Sequence, residues 1–393
     1  MSDADCETHH PDGRFRVVVT KPLPGTRWLE ELAGADCRVE VCGGERPLAR
    51  DEIAAAVGSR CDGVLTQLTE RWDAELLDRF AAAGGRVLAN YAVGYDNVDV
   101  ARATALGIAV GNTPGILTET TAELAVALTF AAARRVVEGQ RLLAEGRFTG
   151  WHPSLLLGKR LWRKTLGVVG AGRIGATYAR MLVEGHKMDL VYLDLHANAE
   201  LEAFVAAYGA FLASRGERPV SCRRAATLDE VLESADVVSL HVALDDSTRH
   251  LIDAARLARM NDDAILVNSA RGALVDEEAL VAHCRRHPSF SAALDVFERE
   301  PELAPGLLDL PNVVAVPHLG SATGWTRRGM ATLAAANVVG VLSGWPVWSG
   351  DIDPFLAGDP PAAAPSIVNA AELRLPLLGA AQRPRDEAVN SDA

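Results

Sequence analysis

Cysteine is scarce in this sequence, and its positions form no recognisable motif. The 393 residues contain six cysteines, none of which stands in a C-x-x-C pair or in a Cys/His cluster with zinc-binding spacing. This argues against a zinc site, and we expect no bound metal. The pattern predicts free thiols in a reducing compartment.

The sequence also lacks long apolar runs. No stretch is long enough to span a bilayer, and the polar start MSDADCETHHPDGRF has no apolar region of the kind found in signal peptides. The last residues, EAVNSDA, are not the peroxisomal S-K-L tripeptide. We therefore expect a cytoplasmic protein.

Basic residues are outnumbered by acidic ones. The chain has 39 Lys and Arg against 52 Asp and Glu, for a net charge of −13. Such a surface disfavours nucleic acid or an anionic membrane as the main partner, whereas a local Arg can still bind a small anionic substrate. The length of 393 residues, with 49% hydrophobic side chains, favours two domains with sizeable cores.

Short apolar segments alternate with helical patterns in both halves of the chain, which is typical of parallel α/β architecture. In the first half we predict strands at 16–20, 37–41, 62–66, 86–90 and 108–112. In the second half we predict strands at 165–170, 189–194, 236–241, 264–269, 291–296 and 313–317. Six strands with helices between them match a doubly wound dinucleotide-binding domain.

Longer stretches lie between and after these strands. Residues 119–145 predict one helix capped by Thr118. Residues 195–226 predict an extra helix followed by a loop, and the stretch after Gly324 is helical again. The last fifty residues, rich in Pro and Ala, predict mostly loop, with disorder over the final fifteen.

A glycine-rich turn follows the first strand of the second half. Its sequence is Gly170, Ala171, Gly172, Arg173, Ile174 and Gly175. Gly170 permits the tight turn, Gly172 allows the backbone to approach a pyrophosphate at the helix N-terminus, and Gly175 allows close packing of helix on strand. A flexible glycine turn is the alternative, but the strand before the motif and the helix after it favour a dinucleotide site.

An acidic residue ends the next predicted strand. Asp194 follows Gly175 at about the 20-residue spacing of this motif, where a carboxylate can accept both ribose hydroxyls. It would repel the 2′-phosphate of NADP(H), so we expect NAD(H) to be preferred over NADP(H). Arg223 and Arg224 leave this open if the insertion folds back toward the strand.

Three polar residues follow later strands of the same domain. Arg271, Glu300 and His318 each lie just after a predicted strand. Ligands of open parallel sheets bind outside the carboxyl ends of the strands. Singly, each residue is commonly structural or solvated, but their joint placement predicts a chemical site.

The motifs now identified resemble those of the D-isomer-specific 2-hydroxyacid dehydrogenases. The resemblance covers about residues 60–345, and within the family it is greatest to the plant-type hydroxypyruvate reductases, also called glycerate dehydrogenases. The family motifs are YAVGYDNVD (91–99), GNTPGILTETTAELA (111–125), GAGRIG (170–175), NSARGALVDEEAL (268–280), LDVFEREP (294–301) and VPHLGSAT (316–323). The branch motifs are GWHPSLLLGK (150–159), FVAAYGAFLASRGERPVSCRRA (204–225), TRRGMATLAAANV (326–338) and SIVNA (366–370).

The resemblance implies NADH-dependent reduction of a 2-keto acid to a D-2-hydroxy acid, with hydroxypyruvate as the expected substrate. Arg271 would bind the substrate carboxylate and polarise the keto oxygen. His318 would donate the proton, and Glu300 would orient the imidazole and favour its charged form.

The resemblance also implies further contacts. Backbone N–H groups of Val93 and Gly94 would hold the carboxylate, and Asp295 would contact the nicotinamide amide. Ser321 would contact the substrate. The residues expected to line the cofactor, besides the glycine motif and His318, are His241, Val242, Ser269, Ala270 and Gly320.

The implied fold is α/β, with two Rossmann-like doubly wound parallel-sheet domains and the active site in the cleft between them. Residues 1–118 and 325–393 would form the substrate-binding domain, and residues 119–324 the NAD-binding domain. Helix 119–139 would pack against a partner in a homodimer, or else serve as a core helix of its own domain. Trp151 would either pack on its own domain or reach the substrate of the partner subunit.

Other functions are compatible with parts of this pattern. Glyoxylate reductase or another D-2-hydroxyacid dehydrogenase is a close alternative, and an NAD-sensing corepressor-like binding protein is an alternative of another class. Formate dehydrogenase is disfavoured because it has Gln at the position of Glu300. Phosphoglycerate dehydrogenase with a regulatory tail is disfavoured because too little chain follows Leu342.

Overall fold

A computed structural model describes residues 6–44, 46–358 and 360–379. The chain forms two compact units, one built from the segments up to Ile116 and from Thr323, the other from Leu117–Ala322. The sequence predicts a substrate-binding domain of residues 1–118 and 325–393 and an NAD-binding domain of residues 119–324, and this division by role stays a prediction. The disorder predicted for the final fifteen residues concerns positions that, apart from Gly379, lie outside the described residues.

The first unit begins with a mixed sheet. Its elements are β1 (Cys6–His9), β2 (Phe15–Val19), α1 (Arg27–Gly34), β3 (Cys37–Cys42), α2 (Arg50–Val57), β4 (Gly63–Thr66), α3 (Ala74–Ala82), β5 (Val87–Asn90), α4 (Val100–Ala105) and β6 (Ala109–Gly111). The strand order is β1-β3-β2-β4-β5-β6, with every pair parallel except β1 and β3. From β2 onward this is the flavodoxin-like order of doubly wound sheets.

The second unit carries a fully parallel sheet. Its elements are α5 (Thr118–Ala133), α6 (Val136–Ala144), β7 (Thr165–Val169), α7 (Arg173–His186), β8 (Asp189–Leu193), α8 (Ala199–Ser214), β9 (Cys222–Arg224), α9 (Leu228–Ser234), β10 (Val237–Leu240), α10 (Ala254–Leu257), β11 (Ile265–Asn268), a 3₁₀ turn (Gly272–Leu274), α11 (Glu277–Arg286), β12 (Ser291–Leu294) and β13 (Val313–Ala315). The strand order is β13-β12-β11-β10-β7-β8-β9. From β7 the chain adds strands toward one edge of the sheet and from β10 toward the other edge, so the order of addition reverses between β7 and β10. A dinucleotide binds at such a reversal in Rossmann folds.

The chain then returns to the first unit. The returning segment contains α12 (Gly324–Leu342), β14 (Val347–Trp348), α13 (Asp353–Ala357) and β15 (Leu377–Leu378). The predicted helix after Gly324 is confirmed, and it packs against α1, β4 and β5. Beyond it the described chain is mostly irregular, as predicted.

The single helix predicted for 119–145 is wrong, because the structure has two helices there. Arg135 between them has a left-handed φ of 52°. The Ala133 carbonyl, which a continuous helix would bond to Val137, instead accepts the Lys159 N–H at 2.7 Å. Thr118 is also not the cap, since it is the first residue of α5 and the N-cap Leu117 makes no side-chain cap. A tertiary contact with the 158–159 segment therefore ends the first helix.

Two strands of the six- and seven-stranded sheets were not predicted, and neither was the short pair β14 and β15. β9 lies in the insertion and pairs with β8, although only a helix and a loop were expected there. β1 pairs antiparallel with β3, with Cys6 directly opposite Cys42. These two cysteines form a disulfide, so the prediction of six free thiols is wrong for this pair and confirmed for Cys37, Cys61, Cys222 and Cys284. The error arose because pairing depends on an edge strand that has no clear sequence pattern.

The disulfide joins two cysteines that are 36 positions apart in the sequence and closes the loop between them. In the chain-entropy account, reduction should lower the free energy of unfolding by about 4 kcal/mol. We expect alkylation of the unfolded, unreduced protein to label four cysteines, as counted by mass spectrometry. In Cys6→Ser the freed Cys42 should become labelled as well, and the melting temperature should no longer respond to reductant. Labelling of all six cysteines in unreduced wild type would contradict the assignment.

Candidate active site

The glycine-rich turn lies between β7 and α7 and depends on close backbone contacts. Gly170 has a φ of 92°, and a Cβ there would lie 2.6 Å from the His241 carbonyl oxygen. A Cβ on Gly175 would lie 2.0 Å from the Gly170 carbonyl oxygen. Only glycine fits either position, whereas a Cβ on Gly172 would meet no atom within 4 Å.

α7 begins at Arg173, directly after this turn, and Ile174 lies in its first turn. The open side at Gly172 therefore adjoins a helix N-terminus, where unpaired N–H groups and the helix dipole favour an anion. These residues fit the diphosphate of a dinucleotide. Gly170, Gly172, Arg173, Ile174 and Gly175 thus lie together at this turn, and their binding of a cofactor stays a prediction.

Asp194 follows β8 and is fixed beside the same turn. Its carboxylate accepts the Ala171 N–H at 2.7 Å and the His196 N–H at 3.2 Å. Arg224, at the end of β9, donates to the carbonyls of Asp194 and Leu195 at 2.9 and 2.8 Å. The insertion therefore folds back toward Asp194 with Arg224.

Arg223 has a different partner, since its guanidinium donates to Glu230 at 2.9 Å. Successive residues of a strand point to opposite sides, so the two arginines separate. The sequence could not distinguish them because the β8–β9 pairing was not predicted.

Four more predicted cofactor residues follow β10 and β11. His241 bonds Ser239 Oγ through Nε2 at 2.8 Å, and burial lowers the pKa of its ring to about 3. Val242 lies beside Gly170, with Cγ1 2.9 Å from the position of a Cβ there. Ser269 and Ala270 come directly after β11, and within the described chain the buried Ser269 Oγ has no hydrogen-bond partner.

His318 and Glu300 form a hydrogen-bonded pair. His318 Nδ1 lies 2.9 Å from Glu300 Oε2, and Phe297 N–H donates to Glu300 Oε1 at 3.1 Å. Burial by itself would raise the pKa of the Glu300 carboxyl. The hydrogen bond and charge of His318, the Phe297 N–H and the Arg271 charge outweigh it and hold this pKa below its usual value. An ionised carboxylate therefore faces the ring and leaves Nε2 available.

Asp295 fixes the loop that carries this histidine. Its buried carboxylate accepts the N–H groups of Leu319 and Gly320 at 2.5 and 2.8 Å, and its carbonyl accepts the His318 N–H at 2.8 Å. Burial is the main cause of a raised pKa of the Asp295 carboxyl. His318 itself has a left-handed φ of 52°, which a side chain of this size adopts only when its surroundings hold it.

Arg271 lies near Glu300 because two backbone segments meet. The next residue, Gly272, packs so closely that a Cβ would lie 1.8 Å from the Phe297 carbonyl carbon. Asn268 at the end of β11 donates to the Arg271 carbonyl at 2.8 Å and accepts the Ala270 N–H at 3.1 Å. Arg271, Glu300 and His318 are thus assembled within one unit.

Sequence reasoning missed Asn268 and Gly272, although both stand in the NSARG motif. A buried Asn at a strand end and a glycine directly after a functional Arg were the available signals. Neither signal identifies the contacting segment, because Phe297 is distant in the chain.

The remaining predicted residues lie in loops. Ser321 is half-buried in a tight turn after Gly320, in which Ala322 N–H donates to Leu319 O at 2.8 Å. Val93 and Gly94 belong to the first unit, in the loop after β5. Trp151 is 84% exposed, so the alternative in which it packs on its own domain is wrong.

The loop after β5 presents two backbone donors. Asn112 donates to the Val93 carbonyl and Asn90 to the Gly94 carbonyl, each at 2.8 Å. Among the described residues, no acceptor is bonded to the N–H of Val93 or of Gly94. These two N–H groups are therefore available to bind an acceptor such as a carboxylate.

Within the described ranges, no group of three or more His, Cys, Asp or Glu side chains has a metal-binding arrangement. No helix in the described ranges has both the length and the apolar character to cross a membrane.

Comparison with known proteins identifies relatives along nearly the whole chain. Residues 126–320 match the family described as D-isomer specific 2-hydroxyacid dehydrogenase, NAD binding domain. A glycerate dehydrogenase of Cucumis sativus is 54% identical over 372 residues, covering 93% of this chain and 97% of that protein. "Glycerate dehydrogenase HPR, peroxisomal" of Arabidopsis thaliana is 52% identical over 376 residues, covering 94% and 97%.

A solved structure has a similar fold. The TT0316 protein from Thermus thermophilus is 40% identical with a TM-score of 0.74, covering 90% of this chain and 100% of that one. The chain therefore belongs to the D-isomer specific 2-hydroxyacid dehydrogenases, and residues 126–320 form an NAD-binding domain of that family.

Proposed function

We propose that this protein reduces hydroxypyruvate to D-glycerate with NADH. The observation that carries the proposal is the His318–Glu300 pair beside Arg271, at the carboxyl ends of strands in the same sheet that carries the glycine turn. The identity of 52–54% to proteins named glycerate dehydrogenase supports the choice of substrate. Leu117–Ala322 would bind the cofactor, and the other unit would contribute Val93 and Gly94.

The reaction needs a carboxylate-binding group and a proton donor. When bound, the nicotinamide supplies a hydride to C2 of the keto acid. Arg271 would hold the substrate carboxylate through its planar guanidinium and polarise the keto oxygen. His318 would donate the proton to that oxygen from Nε2, because Nδ1 faces Glu300.

The remaining assignments follow the same reasoning. Val93 and Gly94 would donate their N–H groups to the substrate carboxylate, and Ser321 would contact the substrate. Asp295 uses its carboxylate oxygens to hold the His318 loop, and its contact with the nicotinamide amide stays a prediction. A cytoplasmic location and the absence of nucleic-acid or membrane partners also stay predictions.

The substrate assignment is tested by comparing NADH oxidation rates with hydroxypyruvate, glyoxylate, pyruvate and phosphohydroxypyruvate. We expect the highest kcat/KM for hydroxypyruvate. A highest value for glyoxylate would assign a glyoxylate reductase instead. Binding of NADH without turnover of any keto acid would favour a corepressor-like binding protein.

Substitutions of the proposed proton donor His318 and of its carboxylate partner Glu300 should lower activity to different extents. His318→Ala should lower kcat about 10²-fold or more with little change in NADH affinity. Glu300→Gln should also lower kcat, but less than His318→Ala does, because a neutral amide can still hold the ring by a hydrogen bond although it carries no charge. An unchanged kcat in Glu300→Gln would show that the carboxylate does not assist the ring.

The glycine turn can be tested with two matched substitutions in one helix. Gly175→Ala places a Cβ against the Gly170 carbonyl, so α7 must move away from the turn, whereas a Cβ on Gly185 would meet no atom within 4 Å. We expect the dissociation constant for NADH, measured by fluorescence titration, to rise about ten-fold or more in Gly175→Ala. Gly185→Ala should bind as wild type does. Equal affinities for both variants would show that the diphosphate binds elsewhere.

The cofactor preference rests on Asp194 and is modulated by Arg224. We expect a higher kcat/KM for NADH than for NADPH, because the Asp194 carboxylate would repel the 2′-phosphate. Asp194→Ala should narrow the difference in kcat/KM between NADH and NADPH. Arg224→Ala should reduce the residual use of NADPH, whereas Arg223→Ala should not, since Arg223 is paired with Glu230. Equal use of both cofactors by wild type would contradict the assignment.

We also propose a homodimer that forms through α6 and the segment after it. α5 is a core helix of its own unit, packed against α7, β11 and β12, but α6 has no buried residue. The exposed apolar side chains here are Val136, Leu143, Phe148, Trp151, Leu155 and Leu157. So many exposed apolar side chains within one short segment of the chain favour an interface there.

Trp151 would then lie at the substrate site of the partner subunit. Trp151→Ala should change the ratio of kcat/KM for hydroxypyruvate and glyoxylate while NADH binding is retained. Activity should also fall on dilution below the dimer dissociation constant, measured by analytical ultracentrifugation. Phe211→Ala, at an aromatic residue that is 56% exposed on α8, is the control. A monomer with full activity would rule out a shared site.

A further inference from the structure

A second polar network lies at the carboxyl ends of β4 and β5 in the first unit. The Thr66 carbonyl at the end of β4 accepts the Tyr91 N–H at 2.9 Å, so the loop after β4 runs beside the loop of residues 91–97. Asn97 strengthens this contact by donating to the carbonyls of Gln67 and Glu70 at 3.2 and 3.0 Å. The Gln67 backbone is therefore held beside the loop that presents the free N–H groups of Val93 and Gly94.

Buried side chains also hold the Gln67 backbone in place. Glu70 is 1% exposed, and one of its carboxylate oxygens accepts the hydroxyls of Thr20 and Thr66, each at 2.7 Å. The same oxygen accepts the Gln67 N–H at 3.0 Å. Burial is the main cause of a raised pKa of the Glu70 carboxyl. The backbone of Gln67 is thus bonded through both its N–H and its carbonyl.

The side chain of Gln67 is not satisfied in the same way. The residue is half-buried, and its amide Nε2 is shielded from water without a hydrogen-bond partner in the described part of the chain. Buried polar atoms without partners cost free energy and are rare in native structures. An unsatisfied amide on a well-fixed backbone needs an explanation, and a ligand that supplies the missing bond would provide one.

We propose that the side-chain amide of Gln67 binds the 3-hydroxyl group of hydroxypyruvate. This inference rests on the proposed function. The N–H groups of Val93 and Gly94 serve the carboxylate, which only accepts hydrogen bonds. A hydroxyl both donates and accepts, as the amide of Gln67 does, so the two groups are complementary in either amide orientation.

This contact makes Gln67 a specificity-determining residue. Glyoxylate has no third carbon, and pyruvate has a methyl group in place of the hydroxymethyl group. A site built around a substrate hydroxyl rejects an analogue without it, because the polar group of the protein is then left unpaired. Gln67 would therefore raise kcat/KM for hydroxypyruvate relative to both analogues.

The test measures kcat/KM with NADH for hydroxypyruvate, glyoxylate and pyruvate in wild type, Gln67→Met and Gln67→Asn. Met keeps the length of the side chain but removes the amide, whereas Asn keeps the amide but shortens its reach. We expect Gln67→Met to lower the hydroxypyruvate-to-pyruvate ratio of kcat/KM at least ten-fold, and Gln67→Asn to lower it less. Thr69→Val, at an exposed position two residues further along, should leave the ratio unchanged.

The outcomes separate this proposal from the proposed function. Turnover of hydroxypyruvate by wild type with an unchanged ratio in Gln67→Met overturns the role of Gln67 alone. An equal fall for all three substrates, with a lower melting temperature, also overturns it, since Gln67 would then only support the fold. Failure of wild type to reduce hydroxypyruvate overturns the proposed function and this inference together.

Discussion

Asp295 holds together the ends of three strands, and the position of His318 depends on it. Its N–H donates to Asn268 at the end of β11, and its carbonyl and carboxylate accept the N–H groups of His318, Leu319 and Gly320 beyond β13. Removing one buried partner from such a network leaves several donors unsatisfied, at about 1–3 kcal/mol each. The strained backbone at His318 therefore persists, and the ring faces Glu300 at a fixed distance.

Close backbone approach is a common constraint at two places in the NAD-binding unit. Gly175 allows α7 to lie against the Gly170 carbonyl, and Gly272 allows the turn after Arg271 to lie against Phe297. Any side chain at either place would separate the segments that carry functional groups. Glycines here determine distances between elements rather than local flexibility.

The first unit uses buried amide and hydroxyl side chains to fix the distances between its backbone segments. Asn112 and Asn90 hold the carbonyls of Val93 and Gly94, and the N–H groups of these two residues have no acceptor among the described residues. Glu70 and Asn97 hold the adjacent backbone of Gln67. Because the backbones are fixed by side chains behind them, the unpaired donors can be directed at a ligand with little further ordering.

The sequence by itself determined the α/β class, the main strands and the glycine turn, because parallel strands appear in a sequence as short apolar runs. It also identified the candidates Asp194, Arg271, Glu300 and His318, because polar residues that follow parallel strands gather at one edge of the sheet. Only the tertiary structure decided contacts between distant segments. Lys159 takes the Ala133 carbonyl and ends α5, β1 brings Cys6 to Cys42, and β9 turns Arg224 toward Asp194. Such contacts depend on which segments become neighbours, and local periodicity carries no information about partners that lie far apart in the chain.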